Sequence, residues 1–237
     1  MQEYLAKTLQ GLEGVLADEL KALGAKDIEI QRRAVSFKGD KKTLYKANFW
    51  LRTALRILKP VAVFKVNSPD DVYTEIKKLK LEEFINANKT FSIDTTVYSE
   101  QINHSRYVTY KAKDAIVDYF TEKYGKRPTV SVANPDIYFN LHISHTTCTL
   151  SLDSSGAPLF KRGYRVAQTD APINEVLAAG LLMLSGWKGQ CDFIEPMCGS
   201  GTIAIEAAMI ALNMAPGLFR KEFAFERWED FDKDMFD

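Results

Sequence analysis

The sequence predicts an α+β chain that passes into the start of an α/β domain of Rossmann-like type, and three observations predict it. Residues 4–64 read in the order strand, helix, strand, strand, helix, strand, which is the ferredoxin-like plan. Residues 68–152 repeat a helix and strand alternation around one long helical stretch. The short apolar run Phe193-Ile194 then meets two glycines, Gly199 and Gly201, and a helical repeat of Ile203, Ile205, Ala208, Met209 and Leu212. That is a strand end, a tight glycine turn and a helix.

Tyr4-Leu5-Ala6 begins the first strand. Gly11 to Leu23 forms an amphipathic helix with Leu12, Val15, Leu16, Leu20 and Leu23 on one face, and Gly24 ends it. Ile28-Glu29-Ile30 and Ala34 to Phe37 alternate as two strands, with Arg32-Arg33 at the hairpin turn. Lys41 to Leu51 is a second helix, and Arg56 to Phe64 a further strand. Arg32, Arg33, Lys41, Lys42, Arg52 and Arg56 are open to RNA contact and equally to a solubilising role.

Ser68-Pro69-Asp70 caps a helix running to Lys80 with Val72, Ile76 and Leu79 inside. Phe91 to Tyr98 is a strand. Ser105 to Tyr124 is a long helix whose apolar face carries Val108, Ala112, Ala115, Ile116, Tyr119 and Phe120. Arg106, Lys111 and Lys113 lie off that face. Tyr98, Tyr107 and Tyr110 are open to stacking on bases, with core packing expected for two of them. Val130 to Val132, Ile137 to Ile143 and Thr147 to Leu152 are strands, the last two joined by a turn near Ser144-His145. His142, His145 and Cys148 are three apart, a spacing that alternates faces on a strand, so no metal site is expected. Residues 156–165 form a linker carrying Lys161, Arg162 and Arg165. Asp170-Ala171-Pro172 starts a helix to about Leu184.

The 237 residues are 46% hydrophobic and 26% charged, the make-up of a soluble globular chain. No apolar run approaches the ~20 residues of a membrane span, and three cysteines without zinc spacing fit free thiols in a reducing cytoplasm. The zero net charge is unevenly laid out: residues 1–165 stand at +7 and residues 166–237 at −7. A basic front half suits a reader of phosphate backbones.

The glycine loop lacks the lysine of a phosphate loop and fits G-x-G-x-x-G/A loosely as Gly199-Ser200-Gly201-Thr202-Ile203-Ala204. The string Glu195-Pro196-Met197-Cys198-Gly199-Ser200-Gly201-Thr202 resembles the Asp-Pro-x-Cys-Gly-Ser-Gly-Thr motif of class I S-adenosylmethionine-dependent RNA methyltransferases. Among these it is most similar to those that carry a THUMP domain and make N2-methylguanosine in 23S ribosomal RNA. Ala157-Pro158-Leu159-Phe160-Lys161-Arg162-Gly163-Tyr164-Arg165 and Ala171-Pro172-Ile173-Asn174 match too; Glu195 in place of aspartate is the departure. The resemblance implies a ferredoxin-like domain at 1–66, a THUMP domain at 67–155 whose match begins as early as about residue 45, and a linker with the first part of a methyltransferase domain at 156–237. It implies cofactor contacts from Glu195, Pro196, Cys198, Gly199, Ser200, Gly201 and Thr202, with Pro172 and Asn174 beside them. Thr202 is a candidate helix cap. RNA contacts are expected from Arg106, Lys111, Lys113, Lys161, Arg162 and Arg165, and the location is expected to be cytoplasmic.

The family's Asn-Pro-Pro-Tyr-like acceptor motif is absent; Asn134-Pro135 lies upstream, and only 36 residues follow Gly201. No catalytic residue is therefore assigned. The chain is expected to be the front of a longer protein and inactive by itself. A non-catalytic RNA-binding module with a vestigial loop is the alternative. A DNA adenine methylase shares the glycine motif, and a thiouridine synthase would need a Ser-Gly-Gly-x-Asp-Ser loop that is missing here.

Overall fold

The computed structural model describes every residue except 103 and 167–170. The described residues form two compact units. The first comprises Met1–Ile57, Ser155–Phe223 and Asp232–Asp237, the second Leu58–Ser154 and Ala224–Phe231.

The first unit opens with strand β1 (Gln2–Lys7), helix α1 (Glu13–Ala22), strands β2 (Lys26–Gln31) and β3 (Ala34–Gly39), and helix α2 (Lys41–Trp50). β3 runs antiparallel to both β1 and β2. It is the central strand of the three, so Ala34, Val35, Ser36 and Phe37 are all buried, and Phe37 lies opposite Tyr4 with ring centroids 5.5 Å apart. The β2–β3 hairpin turns where expected, with Arg33 at φ 58. α1 buries Leu16, Ala17 and Leu20, which gives the expected stripe its centre while Val15 and Leu23 stay half-buried. Asp40 caps α2 by accepting from the Thr43 N–H. Strand β4 (Arg56–Lys65) follows and completes the β-α-β-β-α-β order.

The second unit takes β4 from Leu58, helix α3 (Pro69–Lys77), strand β5 (Thr90–Tyr98), helix α4 (Ser105–Tyr124) and strands β6 (Thr129–Val130), β7 (Ile137–Ser144) and β8 (Thr147–Asp153). Its strands lie in the order β4-β8-β7-β5-β6. β4–β8 and β8–β7 are antiparallel; β5 runs parallel to β7 and β6. Ser68 and Asp71 form a reciprocal capping box on α3, with Pro69 at its first position. α3 ends at Lys77, three residues before the expected Lys80. α4 buries Val108, Ala112, Ala115, Ile116 and Phe120 and stops at Gly125, whose φ is 64. β6 sits one residue earlier than expected, leaving Val132 84% exposed. The β7–β8 turn places His145 at φ 53.

Beyond Ser155 the chain adds helices α5 (Glu175–Leu184), α6 (Thr202–Ala211) and α7 (Lys233–Phe236), all in the first unit. α5 begins four residues later than a cap at Asp170 would start it. Asn174 supplies its cap by accepting from the Val176 and Leu177 N–H groups, whereas the expected cap, Asp170, lies outside the described residues. α5 meets α1 closely, and a Cβ on Gly180 would come within 2.5 Å of Leu12 Cδ1. The aromatic tail folds onto α2: Phe49 lies 6.4 Å from Phe223 and 6.3 Å from Phe236, and Tyr45 5.7 Å from Phe236. No described helix is long and apolar enough to cross a membrane.

Two expectations fail here. Phe193-Ile194 is not a strand; a strand needs a neighbour for its N–H and C=O groups, and it has no strand partner among the described residues. The apolar face of α6 is also turned. Its buried side is Thr202, Glu206, Ala207 and Met209, while Ile205 and Leu212 are 38% and 70% exposed. Both sides of that helix are rich in apolar residues, so periodicity alone does not choose between them.

Candidate functional site

The glycine loop is built by two left-handed residues. Gly199 has φ 53 and Gly201 φ 74, a region costly for residues with a Cβ. The Gly201 N–H donates to the Cys198 carbonyl at 2.7 Å and closes the turn. Gly201 is then the cap residue of α6, without a side chain to offer. A Cβ at Gly199 would meet nothing within 4 Å. Conformation and open space on the loop's outer side, rather than crowding, therefore account for glycine there. Pro196, Met197, Cys198 and Gly199 are exposed.

A helix leaves its first N–H groups open. Glu195 takes one of them: its Oε2 accepts from the Ala204 N–H at 3.0 Å. The carboxylate thus folds back across the loop and sits at the positive end of α6. Thr202 does not cap the helix as expected; it is the first helical residue, and its hydroxyl accepts from Arg165 Nη2 at 3.0 Å.

Arg165 was expected to face RNA, but its guanidinium is turned onto the loop. Nε and Nη2 both donate to Glu175 Oε1, at 3.0 and 2.8 Å, and Nη1 donates to Ser200 Oγ at 3.1 Å. Arg162 is corrected more sharply. It is 2% exposed, its Nε lies 3.4 Å from Glu206 Oε1, and it donates to the carbonyls of Leu159 and Arg52 at 3.1 and 2.6 Å. A guanidinium used in this way inside the unit has no face left for phosphate. Glu206, 0% exposed, also accepts from the Tyr164 hydroxyl at 3.1 Å.

Arg52 joins the same interior, reaching the Met209 carbonyl at 3.4 Å. Its Nη1 and Glu206 Oε2 have no hydrogen-bond partner among the described residues. Burial lowers the Arg52 pKa, opposed by the nearby Glu19 and Glu206 charges. Glu19 accepts from the N–H groups of Arg52 and Thr53 at 2.7 and 3.0 Å, and burial raises its pKa. Tyr164 is held well above the ordinary phenol range, first by burial and then by Glu206. Two cations and two carboxylates are thus gathered beneath α6. The expected sites did not include Arg52 in this role, Glu19 or Glu206. The available signal was a lone carboxylate, Glu206, within the apolar run of α6.

The other predicted residues are spread out. Pro172 is half-buried ahead of α5, and the Asn174 side-chain oxygen is engaged in capping. Lys161 is exposed while its carbonyl accepts from Arg220 at 2.9 Å. On α4, Arg106 donates to the Tyr110 hydroxyl at 3.1 Å, Lys111 pairs with Asp70 at 2.6 Å and Lys113 with Asp114 at 2.7 Å. Tyr98, Tyr107 and Tyr110 are 62%, 49% and 46% exposed, so none of the three is the core residue expected of two of them. Cys148 is opposite Ile143, which puts it and His142 on opposite sheet faces. Burial pushes the Cys148 thiol up to about 12. Among the described residues no group of three metal-ligating side chains converges.

Fold and loop together define a class: a ferredoxin-like opening, a mixed α/β unit and a glycine turn that starts a helix, as in nucleotide-binding folds. Comparison with known proteins gives the domains their names. Residues 3–58 match the RlmL ferredoxin-like domain, 66–153 the THUMP domain and 162–234 the RMKL-like methyltransferase domain. The chain is 41% identical over 232 residues to a Synechocystis sp. protein named "Putative RNA methyltransferase slr0064", covering 98% of this chain and 60% of that one. It is 40% identical over 240 residues to "Ribosomal RNA large subunit methyltransferase K/L" of Syntrophotalea carbinolica, covering 99% and 34%. A crystal structure described as "SMU.472, a putative methyltransferase complexed with SAH" is 33% identical with a TM-score of 0.85, over 99% of this chain and 62% of that one. The chain therefore spans between a third and just under two thirds of the proteins it matches. Its three segments thus resemble, in order, an RlmL ferredoxin-like domain, a THUMP domain and an RMKL-like methyltransferase domain.

Proposed function

We propose that this chain supplies the RNA-capturing and cofactor-loop portion of an S-adenosylmethionine-dependent RNA methyltransferase. The observation that carries the reading is the Glu195–Thr202 loop. Two left-handed glycines open a helix N-terminus, and the carboxylate of Glu195 holds the loop at Ala204. The solved relative that holds SAH supports the choice of cofactor. In this reading the open face over Gly199 admits the methionine end of the cofactor, and Pro196, Cys198, Ser200 and Gly201 line it. Glu195 acts through the loop backbone. Pro172 and Asn174 flank the site, with Asn174 engaged chiefly as the cap of α5.

The finer proposal is methylation of guanine N2 in large-subunit ribosomal RNA, in the cytoplasm. It rests on the relative that bears a ribosomal RNA name and on the THUMP match. Residues 67–155 take the role of RNA capture, residues 156–237 that of cofactor binding, and residues 1–66 support the latter. Arg106, Lys111, Lys113 and Lys161 are the cations left for phosphate. Methyl transfer further requires groups that orient the acceptor amine and a base drawn out of its stack. The Asn-Pro-Pro-Tyr-like acceptor motif that the resemblance leads one to expect is not in this sequence. The second reading is an RNA-binding module whose loop no longer acts.

Titration with SAH and transfer of labelled methyl groups separate the two readings. The first expects SAH binding and no transfer by this chain alone, with transfer to undermethylated 23S RNA once acceptor-motif sequence is supplied. An absence of SAH binding with RNA binding retained leaves the module reading. Transfer to DNA adenine instead would overturn the RNA assignment.

A further inference from the structure

The loop is poorly determined by its own backbone. Gly199 and Gly201 carry no side chain to restrict them, and glycine loses the most conformational freedom on ordering. Its shape must therefore be imposed from outside, and one side chain outside it reaches two of its residues. Arg165 donates to Ser200 Oγ at 3.1 Å and to Thr202 Oγ1 at 3.0 Å. Its orientation is set in turn by Glu175, the first residue of α5. That carboxylate oxygen receives both Nε and Nη2, and the Glu175 side chain is only 9% exposed. A planar guanidinium held along one edge points its remaining N–H groups in fixed directions. Those directions meet the hydroxyls on either side of Gly201.

We propose that Arg165 is a positioning residue for the cofactor loop. It transmits the placement of α5 to Ser200 and Thr202 and so presets the loop in the shape that receives the cofactor. The inference rests on the cofactor reading above and deepens it. Preorganisation of this kind raises affinity by removing the ordering cost from the binding step. Lysine in its place keeps the charge but, as a point donor on a flexible stem, cannot hold a carboxylate and two hydroxyls at set angles.

The test compares the chain with its Arg165→Lys and Ser200→Ala variants in three measurements: calorimetric titration with SAH, thermal midpoint, and amide hydrogen exchange over residues 199–204. R165K is expected to bind SAH about tenfold more weakly and to exchange faster at 199–204, with its thermal midpoint close to that of the parent. S200A, which removes one acceptor and no charge, should fall between them. Equal SAH affinity in R165K and parent overturns the proposal. Weaker binding with unchanged loop exchange also overturns it, since Arg165 would then act by direct contact. If the parent itself does not bind SAH, the cofactor reading falls. The exchange comparison still decides the positioning claim, and unchanged exchange refutes it.

Discussion

The two units place their charges differently. In the second unit the pairs Lys77–Glu122, Lys123–Glu82 and Lys111–Asp70 lie outside, lacing α3, α4 and the turn after α3, and the first unit has outer pairs of the same kind in Lys21–Asp18 and Lys38–Asp27. In the first unit Arg52, Arg162 and Glu206 lie in the interior, between 0% and 8% exposed, beneath the helix that carries the glycine loop. Outer pairs add little to stability. Interior pairs cost much to desolvate and are worth keeping where they fix a geometry. What Arg162 and Arg52 fix is the placement of α6, through Glu206 and the Met209 carbonyl.

The contrast can be broken experimentally, most strongly at Glu206. Glu206→Ala leaves Arg162 buried without its carboxylate partner and removes a nearby negative charge that Arg52 also feels. It should cost the first unit about 3–5 kcal/mol in urea denaturation, whereas Lys123→Ala should move the second unit's midpoint barely at all. Equal effects would end the distinction. Next in size is Gly163→Ala. Gly163 has φ 94, and its added Cβ would fall 2.1 Å from the Phe219 carbonyl oxygen. Strain and clash together should cost about 2–4 kcal/mol, read in the same melts. Ser68→Ala removes half of the α3 capping box and should cost the second unit about 1 kcal/mol.

The smallest expected effect is one of sign with pH. Hydrogen bonds from Lys123 and Tyr119 lower the Glu82 pKa from 4.5 to about 2. Its contribution is present above 4.5 and lost as pH falls through about 2. Glu19 is the reverse case, with its pKa raised by burial. Its contribution is full below 4.5 and lost as pH rises through the raised value. Glu82→Gln should therefore flatten the stability loss between pH 4.5 and 2. Glu19→Gln should compare more favourably with the parent as pH rises from 4.5 towards neutrality. Parallel pH profiles for variants and parent would contradict this assignment.

Much of the fold was legible because local rules and packing agree there. The α4 stripe from Val108 to Phe120, the turns at Arg33 and His145, and the glycine loop all fall where periodicity and turn chemistry place them. What was not legible depends on direction or on partners. Lys161, Arg162 and Arg165 look alike in sequence, yet one is exposed, one is buried and one is bonded to the loop. Nothing local distinguishes them, since their fates are set by Glu206 and Glu175 on helices that come later in the chain. Phe193-Ile194 has the composition of a strand, but strand formation needs a neighbour. The start of α5 moved because Asn174 competes as a cap with the Asp170-Ala-Pro172 signal.

The most direct measurement is the amide chemical-shift map of the chain titrated first with SAH and then with an RNA hairpin. The account predicts that SAH shifts residues 195–204 and their supports at 165 and 175 while leaving residues 58–154 unmoved, and that RNA shifts the α4 face at Arg106, Lys111 and Lys113. SAH shifts confined to residues 58–154, or no shifts in the glycine loop at saturating SAH, would contradict it.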